Sequence, residues 1–449
     1  MKASDQITSG PIVKTIFSLA IPVVAGMLME TLLLVVNFFW VGRLGPAAQD
    51  AVTSSMVVNW TMFASINIVS VGLTALVSRY VGGGEPERAA GIARQGMWLA
   101  LFLGFLFMVF GFSYAEVLLT FMGTEEGTKQ LALPYLEIFF LSAPFFALYD
   151  SVSAVFRAAG NTRTPMIVGV STICLNMVLD PLLIFGIGPF PRLGVPGASV
   201  ATTISIGTAC VVILVMLHRG RAGIKLERPF GDRPKASELL RIAKIGLPIT
   251  VQQLTFIVVY WFLIRIVHQY GQAAGAAMGI GNRMESISYM TCTGFSMAAS
   301  TMVGQNLGAK KPERAAKCAW GAAGVAVAIT MFIGAVLVAF PHWITGLFAN
   351  SEEVHAIAAD YLMILGLSQF AMAIEIVLEG AFSGAGDTVP PMLVLIPGAV
   401  ARVPLAYFLC FDLNWGINGV WWTLTITSFV KAALLAVWFR RGKWQLKQV

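Results

Sequence analysis

The chain is poor in charged residues, in histidine and in cysteine. Only 12% of its 449 residues are Asp, Glu, Lys or Arg, whereas 57% are apolar, and a typical soluble domain carries about 25% charged residues. These proportions exclude a soluble protein. Four histidines and five isolated cysteines give no C-x-x-C pair and no zinc-ligand spacing. P-loop and hydrolase motifs are also lacking. We therefore predict that the chain is not an enzyme and has no cofactor.

The chain does contain long, continuously apolar segments separated by polar or Gly/Pro-rich breaks. Continuous runs favour helices over the alternating strands of a membrane β-barrel. We predict an all-α polytopic membrane protein with twelve transmembrane helices, each long enough for the roughly 20 residues of a span. The predicted spans are 13–41, 52–80, 92–114, 132–158, 164–187, 197–217, 242–268, 276–303, 316–340, 356–382, 391–413 and 417–438.

The distribution of basic residues predicts how the spans are oriented. Only three of the 30 Lys and Arg residues, Arg43, Lys129 and Arg192, fall in the odd-numbered loops. By the positive-inside rule both termini are cytoplasmic in a multi-pass protein of the cell's inner (plasma) membrane. The basic residues that give the net charge of +7 lie mainly at the termini and in the even-numbered loops, where they set topology, so we expect no nucleic-acid partner. We also expect a monomer in the lipid bilayer with small-molecule partners.

The second half of the sequence repeats the first at one constant offset. This offset aligns GGGEPERAA (82–90) with GAKKPERAA (308–316), and AAGNTRTPM (158–166) with GAGDTVPPM (384–392). We call it the repeat register. We predict two six-helix lobes, 1–217 and 242–449, joined by a basic cytoplasmic linker, 218–241. A repeat of six spans keeps the same orientation in both lobes, so their pseudo-twofold axis lies along the membrane normal. Secondary transporters of this architecture bind substrate between their lobes.

Acidic residues inside spans are the main candidates for chemistry, because an ionisable group costs about 2.5–3.5 kcal/mol there on insertion scales. In the first half they are Glu30 and Asp180. Both fall about 25 Å from the cytoplasmic start of their spans. We expect them to share a cavity with no base beside them in the first six spans, and to exchange protons there.

In the second half the acids are Glu285, Glu375 and Glu379, the last two one helical turn apart. They have two interpretations. Either Glu375 and Glu379 bind a cationic substrate, or each acid is neutralised by a base: Glu285 by Arg283, and Glu375 or Glu379 by Arg402 or Lys431. We include Arg283 among the substrate-binding candidates. Met27 and Trp60 are candidates for an apolar lining, although such residues also face lipid.

Several motifs together resemble the multidrug and toxic compound extrusion (MATE) transporters. They are L-A-I-P at 19–22, G-R-L-G at 42–45, V-G-Q-N-L-G at 303–308 with P-E-R-A at 312–315, and L-N-M-V-L-D-P-L at 175–182. The likeness covers essentially the whole chain. It implies cation-coupled export of lipophilic cationic compounds by alternation between inward-open and outward-open forms.

The resemblance also implies roles for particular residues. Asp180 and Asn176 match the family's proton-linked pair in the fifth span, and Tyr135 matches the tyrosine that the fourth span contributes. Asn37 stands where many members carry an aspartate, so it cannot titrate. We therefore predict that Glu30, two turns earlier on a similar face, has taken over the coupling role, with H⁺ or Na⁺ as the coupling ion.

Two further departures affect the second half. Phe256 stands where some members have a glutamate, which weakens the case for a sodium site in that lobe, and Glu375 replaces a common glutamine. A flippase for a lipid-linked precursor is the alternative function, favoured by the Arg283, Arg402 and Lys431 set. The repeat with its buried acids argues against a channel.

Overall fold

The computed structural model describes residues 3–121, 124–226, 230–349 and 351–448. Part of the predicted linker, residues 227–229, lies outside this set. Helices occupy most of each predicted span, and the described residues contain no β-strand. The helices of the first half are α1 (Ala3–Ser9), α2 (Ile12–Gly42), α3 (Pro46–Gly82), α4 (Pro86–Phe121), α5 (Glu126–Leu141), α6 (Ala143–Ala158), α7 (Arg163–Phe185) and α8 (Val195–His218).

The second half continues the same pattern. Its helices are α9 (Ala236–His268), α10 (Gln272–Gly308), α11 (Pro312–Ala339), α12 (Pro341–Gly346), α13 (Glu352–Ala385), α14 (Val389–Val400), α15 (Arg402–Tyr407) and α16 (Asn418–Arg440). A π-helical turn, Phe408–Asp412, follows α15, and a 3₁₀ turn, Lys443–Leu446, follows α16.

Each of the twelve predicted spans corresponds to a helix or to a broken helix, so the predicted all-α fold is confirmed. Among the described residues, ten helical segments are long and apolar enough to cross a membrane, and the pair α5 and α6 makes an eleventh. The predicted eighth span is α10, which is outside that set. Its sequence is rich in Gly, Ser and Thr, and these residues lower its apolar character without breaking the helix.

Two spans are interrupted in places that the apolar pattern does not mark. The fourth is bent by 47° between α5 and α6, where Ser142 ends one helix and Pro144 lies in the first turn of the next. A proline fits there because the first turn's N–H groups have no intrahelical acceptor. The eleventh is divided into α14, α15 and the π-helical turn, with Pro397 inside α14. Proline removes a backbone donor and crowds the preceding turn.

The chain forms two compact units, and each unit includes a short segment from the other half of the sequence. One unit consists of Met1–Asp5 and Ile21–Gly246, and the other of Gln6–Ala20 and Leu247–Val449. The boundaries within α2 and α9 fall at equivalent places of the repeat, since the repeat register aligns Ala20 with Gly246. The compact units have other bounds than the predicted lobes, 1–217 and 242–449, which were defined by the repeat. The lobes therefore stay a prediction.

The start of α2 packs with helices of the second half. Ile16 and Leu19 belong to one buried cluster with Phe295 of α10 and Ala319 of α11. The segment before it is held in the same unit by Arg314, whose guanidinium donates to the backbone oxygens of Ile7 and Gly10.

The start of α9 shows the matching arrangement in the first unit. A methyl group on Gly246 would overlap the backbone oxygen of Ile68 in α3, so only glycine permits this close approach. The end of the linker packs on α4. Arg94 Nε forms an ion pair with Asp232 Oδ2 at 2.7 Å, and the ring of Phe230 lies 5.2 Å from that of Trp98. This part of the linker is therefore attached to the helical bundle.

Candidate functional site

The fully buried carboxyl group of Asp180 lies near the end of α7. Asn176, one turn earlier, donates its side-chain N–H to Asp180 Oδ2 at 3.2 Å when its amide is oriented to satisfy both of its atoms. In that orientation the Asn176 oxygen accepts from the backbone N–H of Thr202 in α8 at 3.0 Å. The hydrogen bonds thus fix the carboxyl group with respect to both α7 and α8.

Two further helices contribute to the same group. Tyr135 of α5 is within electrostatic range of Asp180 and hydrogen bonds to Asn59 of α3. Asp180 Oδ1 and Asn59 Oδ1 are buried and have no hydrogen-bond partner in the described structure. We call Asn59, Tyr135, Asn176 and Asp180 the first polar site. Its free oxygens can accept a proton or a hard cation, since carboxylate and amide oxygens suit such ions.

The structure places Glu30 in a different group from Asp180. The charges that act on Glu30 are those of Asp150 and Arg157 in α6. Arg157 donates to Asp150 Oδ1 at 3.4 Å, and Ser70 of α3 donates to Asp150 Oδ2. The expectation that Glu30 has no base beside it is therefore wrong, because the charge of Arg157, at the end of the fourth span, acts on Glu30.

The remaining candidates of the first half lie on α2 and α3. Asn37 and Met27 are half-buried on α2, and Trp60 is exposed on α3. Glu30 is itself exposed. Their assignments to coupling or to an apolar lining stay predictions.

In the second half, Glu375 and Glu379 have separate partners. Lys431 of α16 donates to Glu375 Oε1 at 2.6 Å. Gln252 of α9 donates to Glu379 Oε1 at 2.9 Å. Of the two interpretations of this pair, the structure supports neutralisation by a base for Glu375, whereas the partner of Glu379 is an amide and not a base.

Glu285 is not grouped with Arg283, its neighbour in sequence. The charges that act on Glu285 are those of Arg402, Lys431 and Glu375. Arg283 lies on another face of α10, where it lines a cleft with Phe348 and Val354. Residues two apart on a helix point about 200° apart, which explains why sequence proximity gave the wrong partner.

The repeat register relates the first polar site to a group in the second half. It places Asn59 opposite Glu285, Tyr135 opposite Tyr361, and Asn176 opposite Arg402. The charges of Glu285 and Arg402 both act on Tyr361. We call Glu285, Tyr361 and Arg402 the second polar site.

The two sites differ in charge. Both amides of the first are replaced by ionisable groups in the second, and Asp180 corresponds to Ala406. Arg402 is buried and donates to Thr427 Oγ1 at 3.0 Å. The tyrosine is thus common to both repeats, whereas the surrounding charges are specific to each.

Sequence analysis missed Asn59, Thr202, Gln252 and Tyr361. An amide, a hydroxyl or a tyrosine in an apolar run carries no special signal, because such groups are also common as packing residues. For Asn59 and Tyr361 a signal was present in the repeat, since each aligns with a residue that had been singled out, Glu285 and Tyr135.

Comparison with known proteins gives a match along most of the chain. The MatE family model matches twice, over residues 22–182 and 248–408. The two ranges correspond end to end in the repeat register, which supports the internal repeat. Among the described residues, no group of three or more His, Cys, Asp or Glu side chains is arranged to hold a metal ion.

Similar proteins include two with nearly full-length alignments. The probable multidrug resistance protein NorM of Thermotoga maritima is 28% identical over 438 residues, which cover 97% of this chain and 94% of the relative. The FAD transporter of Shewanella oneidensis is 27% identical over 438 residues, which cover 96% of this chain and 95% of that protein.

Solved structures share the fold. An outward-facing multidrug resistance MATE family transporter of the MOP superfamily has a TM-score of 0.90 and 24% identity, with 99% of this chain and 98% of that chain covered. A MOP superfamily transporter from Pyrococcus furiosus has the same TM-score, identity and coverage.

Proposed function

We propose that this chain, which belongs to the MatE family, exports small lipophilic cations in exchange for protons or sodium ions. The predicted resemblance to the MATE transporters is confirmed by the family match and by the multidrug resistance relatives. The chain is accordingly a multi-pass membrane transporter. Its coupling ion, its substrates and the cytoplasmic position of both termini are parts of our proposal.

The first polar site carries the proposal. Asp180 is the one fully buried carboxylate among the described residues, and an acidic group inside a membrane helix is retained where it serves transport. One of its oxygens is hydrogen bonded by Asn176, and the other is free to take a proton or a cation. Binding of the ion neutralises the carboxylate, so the free energy of burying this group differs between the loaded and the empty carrier.

Such a difference is what an exchanger requires. Alternating access couples two fluxes only if ion and substrate favour different conformations, because a ligand shifts an equilibrium only by its differential affinity. We expect the protonated or cation-loaded Asp180 to favour release of substrate, and the empty carboxylate to favour substrate binding.

The flippase alternative has less support. It requires several cationic groups that are free to bind a lipid phosphate, but Lys431 is engaged by Glu375 and Arg402 donates to Thr427. Arg283 is exposed on a separate face of α10. Arg402 and Lys431 thus share surroundings in which each has a partner, and Arg283 lies apart from both.

The test is uptake of a fluorescent organic cation by proteoliposomes under an imposed pH gradient and, separately, an imposed sodium gradient. We expect uptake with at least one gradient, and its loss in Asp180→Asn, which keeps the shape of the side chain but not its titration. Asp50→Asn is the matched control, because Asp50 is exposed and accepts from Thr128. Gradient-driven uptake by Asp180→Asn at the wild-type rate would overturn the assignment.

A further inference from the structure

The second half contains a buried ion pair at two positions whose equivalents in the first half are not charged. Lys431 Nζ lies 2.6 Å from Glu375 Oε1, and the side chains of the two residues are only 6% and 14% exposed. The repeat register aligns Glu375 with Tyr149. Near the end of each half the register changes slightly, so that Gly197 aligns with Gly419, and Ala209 then stands opposite Lys431. The pair is therefore not part of the scaffold common to both repeats.

The protein has space for the lysine side chain at this position. Gly398 of α14 faces it, and a β-carbon on Gly398 would lie 2.6 Å from Lys431 Cγ and 2.7 Å from Cδ. The glycine leaves a channel between α14 and α16 through which the aliphatic stem passes. The ammonium group thereby reaches Glu375 on α13. The position of the lysine side chain is fixed by this packing.

The other charges around the pair have their own partners. Arg402 donates to Thr427, and its charge acts on Glu285. Glu379, one turn after Glu375, accepts from Gln252. Its charge also acts on Lys431, but more weakly than that of Glu375. Lys431 is therefore the cation that balances Glu375.

A buried carboxylate needs a proton or a cation beside it, because desolvation penalises the isolated charge. In an exchanger the balancing ion dissociates in each cycle. Here the balancing charge is covalently attached and cannot leave. We propose that Lys431 is a tethered cation which occupies the place of a dissociable coupling ion at Glu375 in the second lobe, so that Glu375 takes no part in ion exchange.

This inference rests on the proposed function, because it concerns which buried carboxylates exchange the coupling ion. Cation binding at Glu375 can nevertheless be measured without a transport assay. It predicts that removing the tether turns Glu375 into a site for a free cation.

The experiment uses Lys431→Ala, which removes the stem and ammonium beyond Cβ, and n-propylammonium, which has the size and charge of the missing atoms. We expect n-propylammonium to raise the melting temperature of the purified Lys431→Ala transporter by about 2–4 °C in a saturable manner, as a ligand specific for the folded state does. The matched neutral ligand, 1-propanol, should have no such effect. Wild type and Lys431→Ala with Glu375→Gln should respond to neither.

Absence of the n-propylammonium response in folded Lys431→Ala would overturn the proposal. If this variant is recovered only in small yield, the same comparison is made by adding the amine or the alcohol during extraction and measuring the recovered monodisperse fraction. Rescue by both compounds alike would also overturn it, because cavity filling alone would then account for the effect.

A second measurement examines the wild type. We expect Glu375 to contribute nothing to any difference between its melting temperatures in sodium chloride and in choline chloride at the same ionic strength. Any such difference should therefore be the same in Glu375→Gln. A saturable stabilisation by sodium that disappears in Glu375→Gln but persists in Asp180→Asn would identify Glu375 as an ion ligand and overturn the proposal. Failure of Asp180→Asn to alter transport would instead count against the proposed function and leave these results unchanged.

Discussion

One oxygen of Asp180 is held by Asn176 while the other is free, so the amide positions the carboxyl group without satisfying it. Asn176→Leu should remove this support and leave a second buried oxygen unsatisfied. We expect a loss of about 1–3 kcal/mol of stability and weaker gradient-driven uptake. Thermal unfolding and proteoliposome uptake measure the two effects. Thr208→Val is the control, because Thr208 donates only to Ile204 of its own helix. Equal stability of the two variants would contradict the prediction.

Glu30 and Asp180 belong to separate groups of residues, and their mutational effects should reflect this. Groups without shared partners contribute additively, within about 0.5 kcal/mol. We predict that the stability changes of Glu30→Gln and Asp180→Asn add in the double variant, as measured by thermal unfolding. A larger coupling would mean that the two acids interact after all.

The predicted coupling role of Glu30 concerns transport and is tested separately from stability. If Glu30 acts in place of the missing aspartate, Glu30→Gln should abolish gradient-driven export, and adding Asn37→Asp should restore part of it. Uptake of a fluorescent cation under an imposed pH gradient checks this. Normal transport by Glu30→Gln would leave Asp180 to act with another partner, of which Asn176 and Tyr135 are the ones in place.

Sequence alone identified the ionisable residues of the second half but not their partners. Arg402 and Lys431 were both candidates for Glu375, and the choice depends on the rotation of α13 and α16 about their axes. Apolar patterning does not define this rotation in a membrane helix, since lipid-facing and protein-facing positions are both apolar. The partner of Glu375 is therefore a tertiary property.

At the level of helices, α10 and α13 form the most extensive pairing in the second unit. Gly380 and Gly384 of α13 face the backbone of Ser296 and Ser300 in α10, a spacing of small residues that lets membrane helices approach closely. The two spans were predictable from their apolar runs. Their contact is explained by glycines that the period of the apolar pattern does not reveal.

Gly384→Ala should therefore destabilise the protein. The added methyl group would meet the backbone oxygen of Ser300, which cannot move without shifting α10, and overpacking of this kind costs about 1–3 kcal/mol. Gly324→Ala in α11 is the control, since a β-carbon there meets no atom within 4 Å. Thermal unfolding in detergent should separate the two variants, and a stable Gly384→Ala would show that the helices can move apart at little cost.

The attachment of the linker to α4 has its own consequence. Gln95 donates to the backbone oxygen of Arg233 at 3.1 Å and accepts from the backbone N–H of Lys235 at 2.7 Å. Gln95→Ala removes both bonds, at a net cost of about 1 kcal/mol each. We expect faster amide hydrogen exchange and faster trypsin cleavage near Arg233, without loss of the global fold. Glu87→Ala, at the exposed start of the same helix, should leave both rates unchanged.

For the whole molecule, the repeat and the number of spans were predictable, but the composition of the compact units was not. The repeat identifies which residues are equivalent, for example Ala20 and Gly246. It does not tell which copy each segment packs with, because both copies offer similar small, apolar surfaces. The structure assigns Gln6–Ala20 to the unit that contains most of the second half, and the start of α9 to the other.

A chain cut in the linker tests this exchange. Each half alone lacks a segment of its unit, so we predict that neither half gives a monodisperse protein. The two halves expressed together should co-purify and recover uptake. Size-exclusion chromatography and uptake assays measure the outcome, with the uncut chain as the control. A first half that is monodisperse and melts cooperatively by itself would contradict the prediction.

The attachment of Gly10 to Arg314 also means that the first span can complete its packing only late in synthesis. The two residues are separated by 304 positions, and ribosomes add about 5–20 residues per second. The first span therefore waits for about 15–60 s after its emergence before its packing partner exists. During that interval its buried face, with Ile16 and Leu19, is exposed to lipid or to the insertion machinery. The protein completes its fold only when its first span meets helices of the second half.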